Sequence, residues 1–464
     1  MATSFRGPKK KVTYYLLCFS VIGVLVAAAD EYGRRFLTFE EAREIVSAFA
    51  SSGAPIGELP DAGSWSHWIE ACDRDIRERV NRGYEDSISN LILYGTTFTT
   101  RPRLESTNEA VTGEGVLTAA GRERVGDFAA ALARNPKGER LRFAASFFSG
   151  RGITGAKVQP VLEANLTRFM AEQRQYQSTL ETAGKASDPG QLLFTRSTLY
   201  QERGLSVDTS LFPNYALEDT LRAMLRKGAL TAGGIRSVAI VGPGLDFADK
   251  RGGYDYYPLQ TIQPFAMLEA VARLGLGAAD QVEVTAFDLN PAVLSHIREA
   301  AEGARAGHVY TIQLPRDSQV AWNPEAVAYW KNFGAVIGHD VPPIAAPALF
   351  KGNLEARAIT VKAEYVARLR AVDLDIVSQT SDQEPGKGFD LVVATNILVY
   401  YDLFHQALAK AAIARMMNPG GVLLVNHALP SQPASLLEYL GKRSVSYTAG
   451  AGYGDDVVVY RRRK

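Results

Sequence analysis

The sequence predicts an α/β fold: a doubly wound, mostly parallel sheet closed by an antiparallel hairpin and preceded by a mostly helical region. Three observations predict it. The apolar run Val238 to Val241 stops abruptly at Gly242-Pro243-Gly244, as a parallel strand covered on both faces does. From there on, strand patterns alternate with helical ones, the signature of a sheet wound with right-handed crossovers. The last two strand patterns, "SVSYT" and "DVVVYR", are separated by only a glycine-rich turn, which leaves room for a hairpin and not for a crossover.

Taken in order, the chain of 464 residues opens with "RGPKKK" and an uncharged run from Val12 to Ala29, followed by Asp30. Basic, apolar and small-residue sections in that order predict a secretory signal cleaved near Ala27-Ala28-Ala29, or an uncleaved membrane anchor. From Leu37 to about Gly228 the patterns are helical, starting with a capping box at Thr38 and Glu41 in "TFEEAREIVSAFA". The break "LTAGG", Leu230 to Gly234, places a domain boundary, so the expected divisions are 1–29, a helical domain at 30–234 and the sheet domain at 235–464.

Within the sheet domain the strand at Val238 is followed by a helix "PFAMLEAVARLGL", a strand "VEVTAFD" and a helix "PAVLSHIREAAEG". A long, irregular insertion is expected at about 305–371, then strands near "VDLDIV" and "FDLVVATNI", a helix "HQALAKAAIARMM" and a strand "GVLLVNHAL". Long insertions on a rigid scaffold often shape specificity, and this one is expected on the substrate side.

Bulk properties narrow the function. With 51 basic and 50 acidic residues the chain has no charge bias that would favour nucleic acid. Of the six histidines, the five other than His427 show no metal-ligand spacing, and no metal is expected. Neither a serine-hydrolase elbow nor a phosphate loop with lysine and serine or threonine occurs. The glycine turn invites a nicotinamide reading, but a dinucleotide fingerprint needs a third glycine where Phe247 stands. It also needs an acid about 20 residues on, whereas Asp288 follows Gly244 by 288 − 244 = 44 residues.

Residues 236–462 resemble the class I S-adenosylmethionine-dependent methyltransferases, in which a reversed last strand is typical. Gly242 and Gly244 of "VAIVGPGLDF" match that family's methionine-binding turn, and Asp288 of "AFDLN" matches the acid that takes the ribose hydroxyls. The segment "FDLVVATNILVYYD", Phe389 to Asp402, matches the fourth strand and the loop beside the transferred methyl, and is especially similar to the chemotaxis-receptor methyltransferases. "MMNPGGVLLV" matches the turn and fifth strand. The sequence departs from the family at Ile240, where an acid is usual, at Phe247 and in a long first loop.

The resemblance implies S-adenosylmethionine as cofactor, held by Gly242, Pro243, Gly244, Asp246, Asp288, Leu289, Ser378 and Asn396. Methyl transfer is an in-line displacement that demands positioning more than a dedicated catalytic group. Tyr254 and Tyr257, in the loop after the first strand, have faces that attract a sulfonium; Tyr400 lies on the motif beside the methyl, and His427, after the fifth strand, is the best-placed histidine for a general base. The expected activity is methyl transfer to a carboxylate, hydroxyl or amine of a small molecule or protein. The N-terminal segment points the chain to export or the membrane, away from a donor made in the cytosol. That conflict keeps open a noncatalytic binding or interaction module of the cell envelope; an NAD(P)-dependent oxidoreductase is the remaining alternative.

Overall fold

A computed structural model describes residues 33–52, 58–104, 107–112, 115–134, 136, 138–183, 204–205, 208–249, 252–382, 384, 386–431, 435–450 and 453–464. The signal or anchor segment expected at 12–29 lies outside the described residues. Among the described residues no helix is long and apolar enough to cross a membrane.

Twelve strands are described in three sheets. β2 (Ser237–Val241), β3 (Glu283–Asp288), β7 (Arg370–Asp373), β9 (Phe389–Ala394), β10 (Met417–Val425), β11 (Leu437–Ser446) and β12 (Gly454–Arg462) form the main sheet, in the order β11-β12-β10-β9-β2-β3-β7. β2, β3, β7, β9 and β10 pair in parallel, and β12 runs antiparallel to both its neighbours. The predicted doubly wound sheet with a terminal hairpin is therefore the observed one. Its strand order reverses at β2, between β3 and β9, the place where open α/β sheets bind ligands outside the carboxyl ends of their strands.

Side-chain alternation shows why these strands are apolar throughout. Val238 and Ile240 of β2, Leu391 and Val393 of β9, and Val422 and Leu424 of β10 enter one core cluster. Their intervening neighbours Ala239, Val241, Val392, Ala394, Leu423 and Val425 enter a second. Each strand buries both faces, so period-two polarity never develops.

Helices cover both faces. On the first lie α7 (Phe212–Arg226), α8 (Gln263–Arg273) and α9 (Pro291–Arg305); on the second lie α1 (Phe39–Ser52) and α12 (Leu403–Met416). The capping box forms at α1, where the Thr38 N–H donates to Glu41 Oε2 at 2.9 Å and the Glu41 N–H to Thr38 Oγ1 at 3.4 Å. The remaining helices of the first half are α2 (Trp65–Tyr94), α3 (Thr107–Ala110), α4 (Ala119–Ala133), α5 (Glu139–Ser149) and α6 (Val158–Ala183).

α2 has 30 residues and is about 45 Å long, enough to pass from one face of the sheet to the other. Trp65, Ile69, Cys72 and Ile76 pack into the second cluster, whereas Val80, Tyr84, Ile88 and Leu91 pack into the first. Apolar packing thus runs across the boundary expected near residue 234, and residues from Tyr32 to Lys464 cluster as one compact unit.

The insertion is ordered where irregular chain was expected. β4 (Tyr310–Asp317), β5 (Gly338–Val341) and β6 (Leu354–Val361) make an antiparallel sheet in the order β4-β6-β5, with α10 (Pro324–Asn332) and α11 (Ala363–Arg368) beside it. On β4 Ile312 and Leu314 are buried, and so are the polar Gln313 between them and Arg316, so the apolar alternation that marks a strand in sequence never develops. Strand β8 (Gln379–Ser381) leaves the main sheet to pair with β1 (Arg34–Phe36), which shortens the strand expected at "VDLDIV" to end at Asp373.

Candidate functional site

The carboxyl ends of β2, β3 and β7 and the loop after β9 open on one cleft. Gly242 and Gly244 line it from the turn after β2, and Asp288, Leu289 and Asn290 from the end of β3. Leu374 and Ile376 follow β7, Ile397, Tyr400 and Tyr401 follow β9, and Val80 reaches it from α2.

The turn requires its glycines. Both Gly242 and Gly244 sit at φ +66°, a left-handed conformation that costs side-chain-bearing residues about 1–2 kcal/mol. A Cβ on Gly242 would lie 2.1 Å from Ile397 Cδ1, so chain and cleft wall meet without room for a side chain. The Gly242 N–H donates to the Phe287 carbonyl at 2.8 Å, tying this turn to β3.

Asp288 is the electrostatic centre. Its carboxylate accepts the Asn290 N–H at 2.8 Å and further backbone N–H groups of Leu289 and Gly244. Burial nevertheless outweighs these bonds and, with Asp373 nearby, pushes its pKa up to about 7. Asn290 caps α9, its Oδ1 accepting the Ala292 N–H at 2.9 Å and also the Tyr84 hydroxyl from α2. Its Nδ2 is buried with no partner among the described residues.

These features fit the adenosyl part of S-adenosylmethionine. A vicinal diol can donate to the Asp288 carboxylate and accept from the unpartnered Asn290 Nδ2. Leu289, Val293, Leu374 and Ile376 supply the apolar slot a purine needs, and the glycine turn lets a chain approach the backbone closely. The cavity itself is small, about 60 Å³, against roughly 300–1,000 Å³ for small-molecule pockets. A ligand of nucleoside size needs more room than this cavity gives.

Of the residues singled out in the sequence, Gly242, Gly244, Asp288, Leu289 and Tyr400 line the cleft; Pro243, Asp246, Ser378, Asn396, Tyr254, Tyr257 and His427 do not. Asp246 and Tyr257 are bonded to each other, the tyrosine hydroxyl donating to Asp246 Oδ2 at 2.9 Å. Burial raises Asp246 to about 6 and Tyr257 well above its ordinary value. Tyr254 packs edge-on against Phe350. Ser378 donates to Asp375 at 2.7 Å and lies deep under α2, reaching Asp73 at 3.3 Å. His427 shares a hydrogen bond with Gln406 at 3.2 Å, and burial lowers it to about 4, so it is neutral near pH 7.

Asn396 stands at φ +61°, its N–H donating to Asn426 Oδ1. It shapes the loop that carries Ile397 and Tyr400 into the cleft.

Val80, Leu205, Asn290, Ile376, Ile397 and Tyr401 are lining residues that the sequence reading did not single out. Asn290 carried a signal, since it directly follows the strand-end acid and precedes Pro291. Val80 and Leu205 carried none, because they reach the cleft from distant chain.

The loop after β2 is held from below by Arg140 of α5, which is almost fully buried. Its guanidinium donates to the carbonyls of Phe247 at 2.5 Å, Asp246 at 2.7 Å and Asp255 at 3.2 Å, and to that of Tyr257. The insertion packs on the same loop, Gln260 Nε2 donating to the Gln313 carbonyl at 2.9 Å and the Thr261 N–H to the Tyr310 hydroxyl at 2.8 Å. It contributes no residue to the cleft lining. Among the described residues no group of three or more His, Cys, Asp or Glu is placed to hold a metal ion.

No known protein family matches the sequence, and no curated protein matches it. Solved structures similar to the chain are named as methyltransferases. The N-methyltransferase NodS from Bradyrhizobium japonicum WM9 is 13% identical, with 55% of this chain and 100% of that one covered and a TM-score of 0.26. The glycopeptide N-methyltransferase MtfA complexed with S-adenosyl-L-methionine is 14% identical over 56% of this chain and 97% of its own, with a TM-score of 0.27. The mitomycin 7-O-methyltransferase MmcR is 12% identical over 86% and 99%, with a TM-score of 0.27. Likenesses of this size say nothing of activity; the strand order with its reversed β12 is what defines the class as a Rossmann-like α/β sheet of the methyltransferase type.

Proposed function

We propose that the protein transfers a methyl group from S-adenosylmethionine to a carboxylate. The observation that carries the donor is the convergence of two left-handed glycines, a strand-end acid and an unpartnered amide on one cleft at the strand-order reversal. The observation that favours a carboxylate acceptor is that the one carboxylate among the described residues of the cleft, Asp288, is taken up by the ribose end, which leaves no carboxylate or histidine among them beside the methyl to act as base. Among the described residues lining the cleft, the ionisable side chains are Asp288, Tyr400 and Tyr401, and burial drives Tyr401 far above its ordinary value. An acceptor that arrives already ionised needs no proton removed, and the likeness of the Phe389–Asp402 segment to chemotaxis-receptor methyltransferases points the same way.

When bound, S-adenosylmethionine supplies an electrophilic methyl carbon on a sulfonium. Around it the chain's residues bind and orient. Asp288 and Asn290 would hold the ribose end, and Gly242 and Gly244 would let the methionine end approach the backbone. Ile397 and Tyr400 bound the space beside the methyl, and Val80 closes the cleft against water. Positioning of this kind can supply most of the rate in a bimolecular displacement.

Two variants and one chemical assay test the proposal. Asp288→Ala and Gly242→Val are each expected to weaken binding of the donor at least roughly tenfold, the loss of one charge-assisted contact or of the cradle; parent-like affinity in both would contradict the site. Label carried on the methyl group is expected to leave the product as methanol in mild alkali, as a methyl ester does, and alkali-stable label would contradict a carboxylate acceptor.

One observation favours a second reading, a binding module that keeps the fold without the reaction: the cavity of about 60 Å³ is too small for the whole donor as it stands. Export or membrane anchoring through residues 12–29 stays part of the proposal, as does a small-molecule or protein acceptor.

A further inference from the structure

A second cavity, of about 390 Å³, lies beyond the end of β10, between α12 and the β11–β12 hairpin. We propose that it binds a tetrahedral oxyanion, inorganic phosphate or a phosphate monoester, through Lys410, Arg463 and Tyr460.

The reason is an unmet charge. Lys410 is 4% exposed, and its ammonium donates one hydrogen bond, to the Pro430 carbonyl at 3.0 Å, while standing 5.0 Å from the centre of the Tyr460 ring. No carboxylate pairs with it among the described residues. A buried ammonium without a counterion is costly, and proteins ordinarily give such a group a carboxylate or a bound anion. Three N–H bonds are available to a lysine, so two remain for a ligand.

The walls offer matching groups. The Arg463 guanidinium, which forms no ion pair among the described residues, lines the same cavity. The Tyr460 oxygen accepts the Leu429 N–H at 2.7 Å, which leaves its own proton to donate. Ser431 and Ser435 add hydroxyls at the rim, and Glu438 is the one carboxylate among the lining residues. Donors from α12, from β12 and from the residue after β12 line one cavity, an arrangement of several charged and polar N–H and O–H groups that suits the several acceptor oxygens of a tetrahedral anion. The cavity has room for more than phosphate alone, within the range of small-molecule pockets.

The test is calorimetric titration of the full chain with inorganic phosphate, glycerol phosphate and acetate in a phosphate-free buffer. Saturable binding of one or both phosphates is expected, weakened roughly tenfold or more by Arg463→Ala and by Lys410→Met, the loss of one charge-assisted contact each. Arg463 is exposed, so its variant folds even if the lysine variant does not. Tighter binding of the monoester would place an organic moiety in the rest of the cavity; tighter binding of free phosphate would mark a simple anion site. The proposal is overturned by the absence of saturable phosphate binding, by parent-like affinity in Arg463→Ala, or by acetate binding as tightly as phosphate.

Discussion

Asp288 ties the turn after β2 to the end of β3 and lines the cleft, and its protonation has two consequences. Its folded pKa of about 7 lies above the ordinary 3.8, so the folded state holds more protons than the unfolded between those values. The contribution to stability is therefore fully present below about pH 4 and lost as the pH rises through about 7. Urea denaturation at pH 5 and pH 8 should show Asp288→Asn gaining stability relative to the parent at the higher pH; a pH-independent difference would contradict the shift. Donor binding should move the other way, tightening as the pH rises through about 7 and Asp288 ionises, with a flat profile in the variant. Asn396 makes a separate prediction. At φ +61° a β-branched residue is strained, so Asn396→Val should cost about 1–2 kcal/mol and Asn396→Gly much less, read from the same denaturation curves. Gly242, Gly244 and Asp288 were legible because their chemistry follows from adjacent residues at a strand end. Ser378 was placed near the reaction by sequence offset, and Tyr254, Tyr257 and His427 by the strands they follow, neither of which tells which way a side chain turns; Ser378, Tyr254 and Tyr257 are buried and His427 is half-buried, all outside the cleft lining.

At the level of elements, the strands and helices of the second half were readable from apolar runs and glycine breaks, whereas the insertion was not. Its strands bury polar and charged residues among the apolar ones, such as Gln313 and Arg316, and β4 is held by contacts with α8 and the loop after β2 that no local window contains. The same long-range logic governs Arg140. Replacing it by alanine removes donors from four buried carbonyls in the loop that follows β2. That should cost about 2–4 kcal/mol of stability, measurable by urea denaturation; a loss under about 0.5 kcal/mol, the range of surface substitutions, would contradict its role. The helical character of the first half was readable, yet the passage of α2 over the cleft was invisible, because amphipathic spacing shows that a helix is buried and not what it buries against. Arg79 of α2 donates to the Tyr400 carbonyl at 2.9 Å and Val80 lines the cavity. Hydrogen exchange should therefore slow in α2 around residues 76–84 when the donor binds; protection confined to the turns after β2 and β3 would show that α2 takes no part.

For the whole molecule, the reversal of strand order at β2 and the reversed β12 fix where a ligand belongs and which kind of sheet carries it. The helical first half is packed into the same cores and supplies a wall of the cleft, so removing it should expose the site and not merely detach a neighbour. Fold alone does not decide function, and the central claim is that this cleft holds S-adenosylmethionine. Calorimetric titration of the full chain with S-adenosylmethionine, S-adenosylhomocysteine and NAD tests it most directly, with thermal shift as a check. Both adenosyl ligands should bind and NAD should not; at a hundred times its dissociation constant each should stabilise the fold by about 2.7 kcal/mol. Binding of NAD alone, or of none of the three by a folded sample, would contradict the account.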